Sequence, residues 1–226
     1  MQVTETKAEG LAGGTLTLRT DEGTREIEAD KVLVTVGRAP VTDGFGLESL
    51  GLDMASRYIA IDNQCRSSMQ GVYAIGDVTG DPMLAHRAMA QGNLVAEILG
   101  GSDQRWDKRA MPAVCFTDPE IVVVGQLPSR ADDEGVALFP FAGNGRAMTL
   151  ERDDGFVRVV YNKLNGLVLG VQAVGVGVSE MAGEFSLALE MAATLTDIAE
   201  TIHAHPTLSE TVQEAGMKGM GRALHI

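Results

Sequence analysis

Toward the C-terminal end, His203-Ala204-His205-Pro206-Thr207-Leu208-Ser209-Glu210 sets an imidazole, His205, and a carboxylate, Glu210, five residues apart across a Pro-Thr helix start. An imidazole titrates near neutral pH, and a carboxylate on one ring nitrogen fixes its tautomer and stabilises the imidazolium. Such a pair is fit to move a proton on and off a thiol. The same residues allow a plainer reading: Thr207-x-x-Glu210 is a capping-box pattern, in which Glu210 accepts only the Thr207 backbone N–H. A second candidate is Gly76-Asp77, which closes an apolar run just before a helix-forming stretch. Ligands of open α/β sheets gather beyond the carboxyl ends of strands. A carboxylate there can accept hydrogen bonds from polyol hydroxyls while the next helix N-terminus faces a phosphate. Asp77 could equally cap backbone N–H groups.

The elements that must position these groups fall into three stretches. Gly14–Thr20 alternates, Asp21-Glu22-Gly23 turns, and Thr24–Ala29 runs back as a second strand. Lys31–Val36 is a continuous apolar run ending at Gly37-Arg38, as a buried strand would. Such strands need a covering layer, so the chain is expected to begin in mid-domain. In the second stretch Gly71–Ile75 reads as a buried strand stopped by Gly76-Asp77, and Ala85–Leu99 as a helix ended by Gly100-Gly101. A polar linker then reaches about residue 110. The third stretch is α+β: a strand at Ile121–Gly125, and a hairpin of Gly155–Tyr161 with Val168–Val174. A helix over Val178–Thr194 follows, then a short helix capped by Thr196 and a last one capped by Thr207.

Bulk properties narrow the classes. A formal net charge of −13 argues against nucleic acid and against an anionic membrane surface. No apolar run is long enough for a transmembrane helix, and Met1–Glu5 has no signal-peptide core. Cys65 and Cys115 lie fifty residues apart in different motifs, which fits a reducing cytoplasm, the expected location.

Five motifs occur in order: Val36-Gly37-Arg38-Ala39-Pro40, Gly76-Asp77-Val78-Thr79-Gly80, Met83-Leu84-Ala85-His86, Thr117-Asp118-Pro119-Glu120, and His203 to Glu210. Together they resemble the flavin-dependent pyridine nucleotide–disulfide oxidoreductases, with the dihydrolipoamide dehydrogenase branch nearest. The likeness takes in essentially the whole chain but only the C-terminal half of a family member. It implies partial Rossmann-like α/β segments followed by an α+β interface domain. Residues 1–39 would be the tail of an NAD-binding domain, 40–110 the returning segment of an FAD-binding domain, and 111–226 the dimerisation domain. It implies FAD held by Asp77, by Leu84, Ala85 and His86 along the flavin, and by Gly37 and Gly76. His205 would be the catalytic base and Glu210 its orienting carboxylate, working across a homodimer interface. His203 matches no catalytic position and reads as a surface or helix-end histidine. Cys115–Glu120 and Phe139–Met148 look like the version serving branched-chain 2-oxoacid dehydrogenase complexes, whose lipoyl domain would be the partner.

The departures are as informative. No Cys-x-x-x-x-Cys and no Gly-x-Gly-x-x-Gly occurs, so the redox disulfide and both dinucleotide phosphate loops are missing. Gly143-Asn144-Gly145 reads as a loop. On this basis the chain alone is expected to be inactive. Three readings stay open: the C-terminal portion of a dihydrolipoyl dehydrogenase acting with FAD and NAD, a non-catalytic dimerisation module, or a glutathione-reductase-like member.

Overall fold

The computed structural model describes residues 7–12, 14–20, 22–129 and 131–225. The chain divides into two compact units, Met1–Ala39 and Pro40–Ile226. In the first, the alternating stretches become β2 (Thr15–Thr20) and β3 (Gly23–Glu28), preceded by β1 (Lys7–Ala12), in an antiparallel meander of order β1-β2-β3. Sequence patterning does not reveal β1, whose six residues include a glycine and a bulge at Ala8/Gly10. The expected strand at Lys31–Val36 is absent: the segment pairs with no described residue, and Leu33 and Val36 are 87% and 92% exposed. An apolar run forms a strand only where neighbouring backbone groups take its N–H and C=O bonds.

The second unit opens with a two-stranded pair, β4 (Met54–Ala55) and β5 (Tyr58–Ile59). Gly71–Ile75 is likewise not a ladder strand. Tyr73 makes one bridge to Arg66, Ile75 is extended, and a 3-10 turn follows over Gly76–Thr79. Helix α1 (Ala85–Leu99) forms over the expected residues and buries Gln91, Leu94 and Ile98, spaced three and four apart. Leu94 and Ile98 share a small core with Cys65, Tyr73 and Trp106.

The rest is a larger α+β layer pair. β6 (Ala113–Cys115), β7 (Glu120–Gly125), β8 (Glu134–Pro140), β9 (Phe156–Asn162) and β10 (Val168–Gly175) make an antiparallel sheet of order β6-β7-β10-β9-β8, with α2 (Gly145–Thr149) lying between β8 and β9 in sequence. Val122 and Val124, Val157 and Val159, Val171 and Ala173 are fully buried at alternate positions, the period-two pattern of one sheet face. Helices α3 (Ala182–Glu190), α4 (Leu195–Glu200) and α5 (Glu210–Gly219) supply the second layer. α5 contacts β8, β9 and α4 closely, because Gly216 and Gly219 face it there. A Cβ added at Gly219 would stand 2.8 Å from Leu195 Cδ1 and 3.2 Å from Ala137 Cβ.

The single helix expected over Val178–Thr194 is two shorter pieces. A 3-10 turn covers Val178–Met181, and α3 stops at Glu190. Ala192 takes a left-handed φ of 52°, and the N–H groups of Ala193 and Ala192 return to the carbonyls of Ala188 and Leu189. That is a Schellman closure without its usual glycine. Thr194, not Thr196, caps α4, in a reciprocal capping box with Asp197.

Candidate active site

The expected pair is formed. His205 Nδ1 lies 2.9 Å from Glu210 Oε1, while Glu210 Oε2 accepts the Thr207 backbone N–H at 2.7 Å. The two readings of Thr207-x-x-Glu210 are thus not alternatives, because one carboxylate uses one oxygen for each. The capping box is only half built: Thr207 Oγ1 donates instead to the Ala204 carbonyl, and Ser209 stands at the N-cap of α5. The Glu210 side chain is 21% exposed and that of His205 78%. Burial pushes the Glu210 carboxyl up, but the Thr207 N–H and the His205 ring outweigh it and hold it below the ordinary carboxylate value. With Nδ1 engaged, Nε2 is the ring atom left to exchange a proton.

Three supports around this pair were not legible in the sequence. Asn144, read there as part of a loop, is buried. It caps α2 through the Ala147 N–H and donates from Nδ2 to the Thr207 carbonyl at 3.0 Å, tying the His-Pro-Thr turn to α2. An Asn before a helix start signals the cap, but nothing signals its long-range partner. His203 is not a surface histidine: its side chain is 6% exposed, and Nε2 sits 2.8 Å from Glu184 Oε1 on α3. Its Nδ1 is 2.9 Å from the Thr201 carbonyl. Acceptors at both ring nitrogens suit only the doubly protonated ring. The Glu184 hydrogen bond accordingly raises the His203 pKa against the opposing effect of burial. Finally, Glu214, on the next turn of α5, pairs at 2.5 Å with His225 from beyond the helix. His205, Glu210, Glu214 and His225 all line one cavity of about 320 Å³.

None of the other candidates lines this cavity. Asp77 sits exposed in the Gly76–Thr79 turn, and among the described residues no hydrogen bond reaches its carboxylate. Gly76 has φ 72°, gives its N–H to buried Gln91 Oε1 at 2.7 Å, and would place a Cβ 2.9 Å from Ala88 Cβ. Only glycine fits there. Arg87 Nη1 donates to the Gly80 and Pro82 carbonyls, so the turn is laced to α1. Leu84 stands at the N-cap of α1 without a side-chain cap, which leaves the first-turn N–H groups of this 15-residue helix open. Ala85 and His86 are exposed, and His86 Nε2 donates to the Pro112 carbonyl at 2.8 Å. Gly37 belongs to the N-terminal unit, where it has φ 107° and is exposed. Among the described residues no group of three or more His, Cys, Asp or Glu could hold a metal ion, and no helix is long and apolar enough to cross a membrane.

Known proteins resemble the chain along most of its length. Residues 111–216 match the pyridine nucleotide-disulphide oxidoreductase dimerisation domain, and residues 1–92 match the pyridine nucleotide-disulphide oxidoreductase domain. Dihydrolipoyl dehydrogenase of Pseudomonas aeruginosa is 60% identical over 206 residues, covering 89% of this chain and 44% of that protein. The Geobacillus stearothermophilus enzyme of the same name is 46% identical over 219 residues, covering 95% and 47%. The chain therefore spans about half the length of the curated relatives it matches. Among solved structures, LpdA from Mycobacterium tuberculosis superposes with a TM-score of 0.83 at 30% identity, over 94% of this chain and 48% of that one. The HOCl-induced flavoprotein disulfide reductase RclA from Escherichia coli, at 21% identity and TM-score 0.82 over 95% of this chain and 50% of that one, shares the fold. With both family domains matched in order along a fold shared with LpdA, the chain belongs to the pyridine nucleotide–disulfide oxidoreductase family.

Proposed function

We propose that this chain is the C-terminal portion of a flavin-dependent dihydrolipoyl dehydrogenase, in which His205 is the base that takes a thiol proton at Nε2 and Glu210 orients it. The observation that carries the reading is the two-handed hold of Glu210. One oxygen fixes the His205 tautomer, and the other is fixed by the backbone at the start of α5. An imidazole so held accepts a proton without first reorienting, and its imidazolium gains a neighbouring negative charge.

The residues present fit one side of a flavin dinucleotide. Asp77 offers a bond-free carboxylate to ribityl hydroxyls, and the open N-terminus of α1 at Leu84–His86 offers backbone N–H groups. Bound there, the flavin would supply the acceptor for the electron pair leaving a dithiol. The residues do not fit a nicotinamide dinucleotide: no glycine-rich phosphate loop occurs, and no step is assigned through one. The 226 residues also lack a Cys-x-x-x-x-Cys pair, so turnover belongs to the whole protein. A homodimer through residues 111–226 suits the exposed Leu187 on α3 and Met191 just beyond it, which border an apolar groove. The lipoyl domain of a 2-oxoacid dehydrogenase complex suits the dithiol, and the cytoplasm suits its chemistry.

In the full-length protein, His205→Gln should lower turnover with dihydrolipoamide by roughly 10²- to 10⁴-fold, the usual contribution of a general base, while flavin stays bound. Full activity in that variant would refute the assignment.

A further inference from the structure

Glu214 lies four residues beyond Glu210 on α5 and is buried, at 7% exposure. A buried carboxylate persists only where its charge is met by donors. Here the donors come from the segment beyond the helix. Oε2 accepts the Leu224 N–H at 3.1 Å, and Oε1 lies 2.5 Å from His225 Nδ1. Two further bonds complete the fold-back: the Arg222 N–H reaches the Met217 carbonyl at 2.8 Å, and Arg222 Nη2 reaches Glu200 Oε1 at 2.9 Å. The segment thereby turns back over α5 and brings Leu224 and His225 into the wall of the cavity that holds His205 and Glu210. Met148, Met217 and Phe139 line the same cavity, so apolar side chains stand beside the acid–base groups.

We propose that Glu214 is a positioning residue of the His205 site: by holding Leu224 and His225 it builds the wall against which the hydrocarbon chain of the dithiol lies. This rests on the function proposed above. An aliphatic dithiol gains from contact with Leu224 and the methionines, whereas a charged thiol would lose hydration there without a compensating partner. Glu210 and Glu214 thus divide the work along one helix, the first orienting the base and the second shaping the space beside it.

The test uses the full-length flavoprotein with Glu214→Ala, Glu214→Gln and Leu224→Ala, together with amide hydrogen exchange at Leu224. Losing a charged, buried acceptor should speed Leu224 exchange roughly tenfold or more in Glu214→Ala and raise KM for dihydrolipoamide by a similar factor, with a smaller change in kcat. Glu214→Gln keeps one acceptor oxygen and should fall between. Leu224→Ala, which leaves the backbone bond of residue 224 to Glu214 in place, should raise KM while the amide at position 224 stays protected. If Glu214→Ala does not fold, Leu224→Ala decides. Unchanged KM in Leu224→Ala, beside an inactive His205→Gln enzyme, would overturn this inference alone. Wild-type turnover in His205→Gln would remove the functional reading on which it stands.

Discussion

Ile121–Gly125 and Lys31–Val36 are alike in length and in branched residues, yet they end in opposite environments. The first lies between β6 and β10 and buries Val122 and Val124 completely. The second pairs with no described residue, and Leu33 and Val36 stand 87% and 92% exposed. Branched apolar sequence fits a pleated, covered surface, but neighbouring strands and a covering layer decide whether that surface exists. The contrast extends to the cores. Residues 110–220 share one large cluster that includes Phe139, Phe141 and Phe185, whereas the segment around α1 rests on Cys65, Leu94 and Ile98.

The largest effect should come from the covered side. Phe139 on β8 is fully buried, and Phe139→Ala should cost about 3–5 kcal/mol of unfolding free energy, measured by urea denaturation. A loss below about 1 kcal/mol would mean that the sheet is no better packed than the exposed run, against the usual price of emptying a core site.

A smaller effect is expected at the His203–Glu184 pair, which joins the His205-bearing turn to α3. Its folded-state pKa is raised, so its contribution is fully present below the unfolded value of about 6.5 and is lost as pH rises through the folded value. Glu184→Gln should therefore destabilise by about 1–2 kcal/mol at pH near 5, allowing for the part-exposed carboxylate, with the gap closing as pH rises. A gap that widens with pH would contradict the assignment.

The smallest effect belongs to the uncovered run. Val36→Ala should change stability by less than about 0.5 kcal/mol, as surface substitutions do. A clear loss in the same denaturation assay would erase the contrast between the two runs.

How much of this was legible follows the same division. Helix α1 and the β9–β10 hairpin were readable because their own periodicity and turn residues specify them. The join between α3 and α4 leaves no mark in the sequence because Ala192 fills a left-handed position that a glycine usually announces. The core of the site, His205 with Glu210, is local in sequence and so was visible. Its supports are not: Asn144 reaches Thr207 across sixty-three residues, and Glu184 reaches His203 across nineteen. No local pattern encodes a bond that only the packing of α2 and α3 creates.

The central claim is that Glu210 serves the base and the helix start at once, and Glu210→Gln tests it most directly. A glutamine has one acceptor oxygen where two are used; with Thr207 on that oxygen its amide N–H faces His205 Nδ1 and favours the tautomer with the proton already on Nε2. Steady-state kinetics of the full-length Glu210→Gln protein should show turnover with dihydrolipoamide lowered roughly 10- to 100-fold, by analogy with partners that orient metal-ligating imidazoles. That loss should be smaller than the loss in His205→Gln. Wild-type turnover would reduce Glu210 to a helix cap and contradict the account.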